Sequence, residues 1–180
     1  FEDIRREITL DENFYLEQDF RISILSSNCK TKPQAFVCKD ENSRSIGVLI
    51  QFNLFKFLTM GDLTGGGENT LDLESIVGAM AGKVSLFKVS HHGSSSSSNM
   101  DFINLINPIA SLISVGENNY GHPNCGVIDN LASINSDIYL TSKGSENCDF
   151  SKSTIVNDNI EIYVLDGKRM IIGDKVYILE

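Results

Sequence analysis

The sequence predicts an α/β layered domain, because short apolar runs that read as strands alternate through its middle with segments of helical periodicity. Two further observations set its scale. The chain has 180 residues, 41% of them hydrophobic, which is enough for one sizeable core and too little to require two. No internal repeat runs through it, so residues 1–180 read as a single domain or as part of one.

Residues 1–19 mix charge with scattered apolar side chains and read as a lead-in. Phe20-Arg-Ile-Ser-Ile-Leu25 alternates with period two, the mark of a strand, and residues 26–33 form a polar loop. Residues 46–52 and 55–59 are β-rich runs separated by Asn53-Leu54, which predicts a tight hairpin. The second run ends on Met60-Gly61-Asp62. After the glycine turn 65–67, the stretch 68–80 puts Leu71, Leu73, Ile76, Val77 and Met80 on one helical face, and Gly82 stops it. Residues 84–89 are a short strand that runs into Ser90-His91-His92-Gly93 and a serine run. Residues 100–106 predict a helix ended by Pro108, 110–115 a buried strand, 126–134 a third helix and 138–141 another core strand. The tail, 150–180, is expected to hold β-hairpins, with turn signals at Asp166-Gly167 and Gly173-Asp174. Ser94 to Ser98 lie between a strand end and a helix start, and they predict a flexible, solvated loop at the edge of a site.

Charge and composition narrow the partners. With 15 basic against 24 acidic residues, a net charge of −9, the chain offers no basic surface able to neutralise a phosphate backbone alone. A nucleic-acid substrate would need metal ions or another segment to attract it. No apolar run approaches the roughly 20 residues that cross a bilayer and no signal-like region opens the chain, so a cytoplasmic location is expected. The four cysteines, Cys29, Cys38, Cys125 and Cys148, are irregularly spaced and form no CxxC pair. They read as free structural thiols, with a Cys29 to Cys38 bridge across a loop left open.

Three places can carry chemistry. Asp62 follows an apolar strand and Gly61, the kind of strand end where α/β folds build sites, although a turn or helix-capping aspartate reads the same way. His91 and His92 follow another apolar strand and are two of the three histidines in the chain. On an extended backbone their imidazoles would point to opposite sides, so a single metal ion would take only one of them. His122, in Tyr120-Gly-His-Pro123, sits in a loop after a core strand, where it can contact a phosphate or donate a proton, or else merely cap local backbone.

Together these segments resemble the metallo-β-lactamase superfamily in its ComEC-like branch. Asn42 to Asp62 resembles that family's polar turn, hairpin and GD block. Val84-Ser-Leu-Phe-Lys-Val-Ser-His-His-Gly-Ser94 looks like its "LKVPHHGS" segment, and Ile113 to Pro123 like its "SVG.NxYGHP" segment. The resemblance covers roughly residues 20–145. It implies half or more of a four-layer αββα sandwich, a mixed sheet with outer helices, of which this chain is the C-terminal part. It further implies a metal-dependent hydrolase acting on a phosphodiester of DNA or a nucleotide through a hydroxide activated by two ions, Zn2+ or Mn2+. Asp62 matches the aspartate that bridges both ions and His91 the last histidine ligand. His92 falls behind the ligands or at the substrate edge, or else exchanges roles with His91 as the metal ligand; His122 serves catalysis or substrate binding, and Ser94 is a candidate substrate contact. The family's HxHxDH signature is not in this chain, so the resemblance places those ligands in an N-terminal half of the same domain or in a partner chain. The rival expectation is a degenerate, non-catalytic module that binds a protein.

Overall fold

The computed structural model describes residues 8–180 apart from 11, 33 and 146, and the backbone but not the side chain of 68. A nine-stranded mixed sheet forms its centre. Four antiparallel strands make one half, β1 (Asn13–Glu17), β2 (Phe20–Ser27), β4 (Gly47–Phe52) and β5 (Phe55–Thr59), with the short β3 (Lys30–Thr31) paired to β2. From β5 onward the sheet is parallel, through β6 (Leu86–Lys88), β7 (Ala110–Ile113), β8 (Asp137–Leu140) and β9 (Ser153–Ile155). Parallel neighbours need a crossover; three helices, α1 (Glu74–Ala81), α2 (Met100–Ile106) and α3 (Cys125–Ser133), supply those from β5 to β8, and a loop joins β8 to β9.

The burial pattern explains the layering. Val77 and Ala81 of α1, Phe102, Ile103 and Ile106 of α2, and Val127, Ile128 and Leu131 of α3 join Leu58, Phe87, Ile113 and Ile138 of the sheet in one core. All three helices therefore cover the same face. On the other face, Phe55, Leu86, Ala110 and Tyr139 pack against Met170, Ile172, Tyr177 and Leu179. These last belong to a small antiparallel sheet and the end of the chain, formed by β10 (Ile162–Leu165), β11 (Arg169–Ile172) and β12 (Lys175–Ile178). Strands β6 to β8 are covered on both sides, which is why they are mostly apolar rather than alternating. The result is an α/β fold with a mixed sheet. The outward face of the small sheet keeps Tyr163, Leu165, Val176 and Ile178 exposed, with Tyr163 and Val176 flanking Ile171 in register.

Several expectations are corrected. The helix expected over 68–80 begins only at Glu74, because Leu73 and Glu74 both donate their amides to the Thr64 carbonyl, at 3.0 and 3.1 Å. The Asp72 carboxylate then accepts from the Ser75 amide at 3.0 Å, a local cap that starts the helix late. Within the expected lead-in, β1 is an edge strand exposed at every position, so no buried face gave it a period-two signal. The four cysteines are not free thiols. Cys29 pairs with Cys38 and Cys125 with Cys148, at Cα separations of 5.9 and 5.1 Å. The second pairing was invisible in sequence spacing because it depends on the loop after β8 returning beside the loop after β7. Among the described residues, no helix is long and apolar enough to cross a membrane.

Candidate functional site

Parallel pairing gathers the three motifs. In β5, β6 and β7 the register runs Phe57 to Leu86 to Ala110, so their C-terminal ends emerge along one edge. Gly61-Asp62 follows β5, Ser90 to Gly93 follows β6, and residues 114–123 follow β7. This is the edge at which open α/β sheets form crevices.

Backbone hydrogen bonds stitch the loops together. The His91 amide donates to the Gly61 carbonyl at 3.0 Å, and the Asn124 amide to the Gly93 carbonyl at 2.7 Å. Asp62 is held from behind by Ser45, whose hydroxyl accepts the Asp62 amide at 3.2 Å. Gly93, at φ +80°, packs against the third loop so closely that a Cβ there would sit 3.0 Å from that of Pro123.

The two histidines are not extended, as the sequence suggested. Both adopt left-handed conformations, at φ 49° and 55°, inside a tight turn, Ser90–Gly93. Consecutive left-handed non-glycine residues are uncommon and strained, and such strain gathers at functional sites. The turn sends the rings different ways. His92 Nδ1 lies 2.7 Å from the Ser114 carbonyl oxygen. A carbonyl only accepts, so Nδ1 carries the proton and, in the neutral ring, Nε2 keeps its lone pair. That Nε2 stands 4.0 Å from Asp62 Oδ1, with the two side chains 48% and 42% exposed. Two electron-rich atoms thus face each other across a gap too long for a hydrogen bond. His91 turns inward, with Nδ1 3.2 Å from Ser96 Oγ and its ring 5.4 Å from that of His122. It is therefore His92, rather than His91, whose ring nitrogen neighbours Asp62.

His122 is positioned by Asn118. The Asn118 side-chain oxygen accepts the amides of Tyr120 and His122, at 3.0 and 3.1 Å. Its amide group donates to the carbonyls of Gly116 and His122, at 2.9 and 2.8 Å. From the neighbouring strand's loop, the Ser145 amide also reaches the His122 carbonyl, at 3.1 Å. Gly144, at φ +71°, is required for this approach, since a Cβ would fall 2.4 Å from the His122 oxygen. The Cys125–Cys148 disulfide fastens the same two segments.

The serine run is not the solvated loop expected of it. Ser94, Ser96, Ser97 and Ser98 are all buried. The Ser94 hydroxyl is engaged by Ser96 Oγ at 3.0 Å, and Ser97 Oγ donates to the Ser90 carbonyl at 3.0 Å. Ser94 thus lies inside the fold, beneath the histidine turn. Below it stands a group that sequence reasoning passed over, Glu74, which is fully buried. Its Oε2 accepts the Ser98 amide, and Oε1 has no hydrogen-bond partner. Burial raises the Glu74 pKa to about 8; Ser90 and Ser98 pull it down and Asp72 pushes it up. Ser90 lies near enough to favour the ionised form, yet its hydroxyl makes no hydrogen bond in this geometry, so burial prevails. At neutral pH Glu74 is mainly a neutral acid.

Sequence reasoning also gave no role to Asn118, Ser45 or Gly144. Asn118 alone had a readable signal, an amide side chain in a glycine-flanked turn four residues before a histidine. Among the described residues, no group of three or more His, Cys, Asp or Glu side chains is arranged to hold a metal ion. Asp62 and His92 nevertheless make a compatible pair of donors: ligands on a tetrahedral Zn2+ sit roughly 3.4 Å apart, given bonds near 2.1 Å, so a small closure of the 4.0 Å gap suffices. No protein-family model matches the chain, and no curated protein matches it.

Proposed function

We propose that this chain contributes the carboxylate and imidazole side of a metal-dependent hydrolase site, of the kind found in the metallo-β-lactamase superfamily. The observation that carries the reading is the Asp62–His92 pair: a carboxylate and a lone-pair nitrogen oriented by a backbone carbonyl, at the sheet edge where three motifs converge. Orientation of a ligand histidine through its second nitrogen is what a metal site requires. A bound Zn2+ or Mn2+ supplies Lewis acidity toward a phosphoryl or carbonyl oxygen and lowers the pKa of a coordinated water. Asp62 and His92 would hold such an ion, and the Asp62 carboxylate would supply the negative charge that a two-ion site needs. His122, about one ring's breadth from His91, takes the part of a proton donor to the leaving oxygen or of a phosphate contact.

Two donors fall short of the four that zinc ordinarily takes, so the reading draws the remaining ligands from a further segment or a partner chain. In the complete four-layer sandwich, that segment also covers the exposed outer face of the small sheet. A phosphodiester is the favoured substrate, and the metal ions supply the positive charge that a chain of net charge −9 lacks. The two disulfides favour an oxidising compartment over the cytoplasm.

A second reading has its own observation. The outer row of Tyr163, Val176 and Ile178, all more than half exposed, suits a non-catalytic module that docks a protein partner through this face. Metal content and hydrolysis of bis(4-nitrophenyl) phosphate by the full gene product separate the two. Near two ions per chain, with activity abolished in Asp62→Ala, supports the hydrolase. A metal-free, inactive product supports the docking module.

A further inference from the structure

A cleft of about 310 Å³ adjoins the candidate site, and its walls include His92, Gly116, Glu117, Asn118, Tyr120 and His122. That volume is at the lower end of small-molecule sites, which run from roughly 300 to 1,000 Å³. His92 belongs both to this cleft and to the donor pair with Asp62. Anything seated in the cleft therefore lies directly beside the reacting edge.

The most conspicuous wall is Tyr120. It is 83% exposed, yet it does not dangle. Its amide is held by the Asn118 side chain, which also binds Gly116 and His122, while the Asn118 amide donates to Ser145 Oγ at 2.6 Å. One face of the ring lies over His122, with centroids 6.0 Å apart and planes at 24°. The other face is turned to water. A pinned loop that displays a flat aromatic surface offers a stacking platform for another flat ring, with little entropy left to lose on binding.

Charge decides which part of a ligand enters. Glu117 is the one acidic residue lining the cleft, and no Lys or Arg lines it. A phosphate is disfavoured there, whereas a planar heterocycle with N–H groups on its edge finds an acceptor. A quaternary ammonium would also meet a carboxylate and a ring, but cages for such cations close several aromatic faces around the charge. Here Tyr120 presents the single free tyrosine face.

We infer that this cleft is a nucleobase subsite, in which a base stacks on Tyr120 with its N–H edge toward Glu117. Resting on the phosphodiester reading above, the phosphoryl group of the same nucleotide then lies at Asp62 and His92.

The test is saturation-transfer NMR on the chain in EDTA, with GMP, ribose 5-phosphate and tetramethylammonium as probes. GMP should receive saturation at its base proton, and ribose 5-phosphate should bind far more weakly. Tyr120→Ala, at an exposed position, should weaken GMP by about tenfold, the size of a lost base–aromatic stack, and Tyr120→Phe should retain it. Equal binding of ribose 5-phosphate and GMP, or no loss in Tyr120→Ala, overturns the assignment. Tetramethylammonium bound more tightly than GMP would identify a cation cage and overturn it as well. Because EDTA removes divalent ions, base binding is read apart from the metal chemistry. Base binding in EDTA and metal content without it are separate readouts, so failure of the hydrolase reading and failure of the base subsite give different results.

Discussion

Glu74→Gln should remove the pH dependence that a single buried acid imposes on this fold. In the native state burial lifts the carboxyl from 4.5 to about 8. The folded protein therefore holds a proton that the unfolded chain releases throughout that interval, and stability falls as pH rises through it. The sign is that of a raised carboxylate: the penalty is absent below pH 4.5, grows across the window and levels off above pH 8. At 1.36 kcal/mol per unit of pKa difference, the change between pH 5 and pH 8 is on the order of 3 kcal/mol. A glutamine keeps the shape, accepts the Ser98 amide as Oε2 does now, and directs its NH2 toward the unsatisfied Ser90 hydroxyl. It has nothing to ionise. Urea unfolding of both proteins at pH 5, 6, 7 and 8 isolates the effect, since every other titrating group is common to the pair. The variant should gain on the wild type steadily with pH, by about 3 kcal/mol over the series. Parallel stability curves would refute the reasoning, because they would mean that Glu74 ionises as readily inside as outside.

Other perturbations follow from the same geometry. Gly144→Ala, at φ +71° with no room beside the His122 carbonyl, should lower stability by about 2 kcal/mol or more and shift the His122 resonances. Cys148→Ser opens a loop of sequence separation 23 and should reduce unfolding free energy by about 3 kcal/mol in a urea titration, less than the loss in reductant, which opens the Cys29–Cys38 bridge as well. Asn118→Ala removes four hydrogen bonds from the 116–122 loop; amide exchange of Tyr120 and His122 should accelerate while that of β6 and β7 does not. An unchanged exchange rate would show that Ser145 alone holds the loop.

The α/β layering was legible because it rests on local signals. Hairpin residues at Asn53-Leu54, the apolar runs of β6 and β7 and the helix stops at Gly82 and Pro108 each act within a few residues of chain. What escaped was non-local or atypical. Strand β1 is exposed throughout, α1 starts late because Thr64 draws its first amides back, and Cys125 meets Cys148 only after a parallel crossover. The site shows the same division. Asp62, His91, His92 and His122 could be named from strand-end position, and the fold does bring them to one edge. Their partners could not. The left-handed turn that directs His92 rather than His91 toward Asp62 depends on His91 donating to Gly61 and on the Ser114 carbonyl arriving from another strand. The serines read as solvated because composition cannot reveal that Glu74 lies beneath them.

The most direct measurement of the central claim is a Zn2+ titration of the 180-residue chain, followed through the imidazole nitrogen resonances of its three histidines, in the wild type and in Asp62→Ala. A cation held between Asp62 and His92 should move His92 Nε2 first and farthest, with Nδ1 remaining protonated against Ser114, and the response should weaken by at least about tenfold in Asp62→Ala. A titration that leaves His92 unmoved, or that moves it equally in Asp62→Ala, would contradict the assignment of this pair as metal donors.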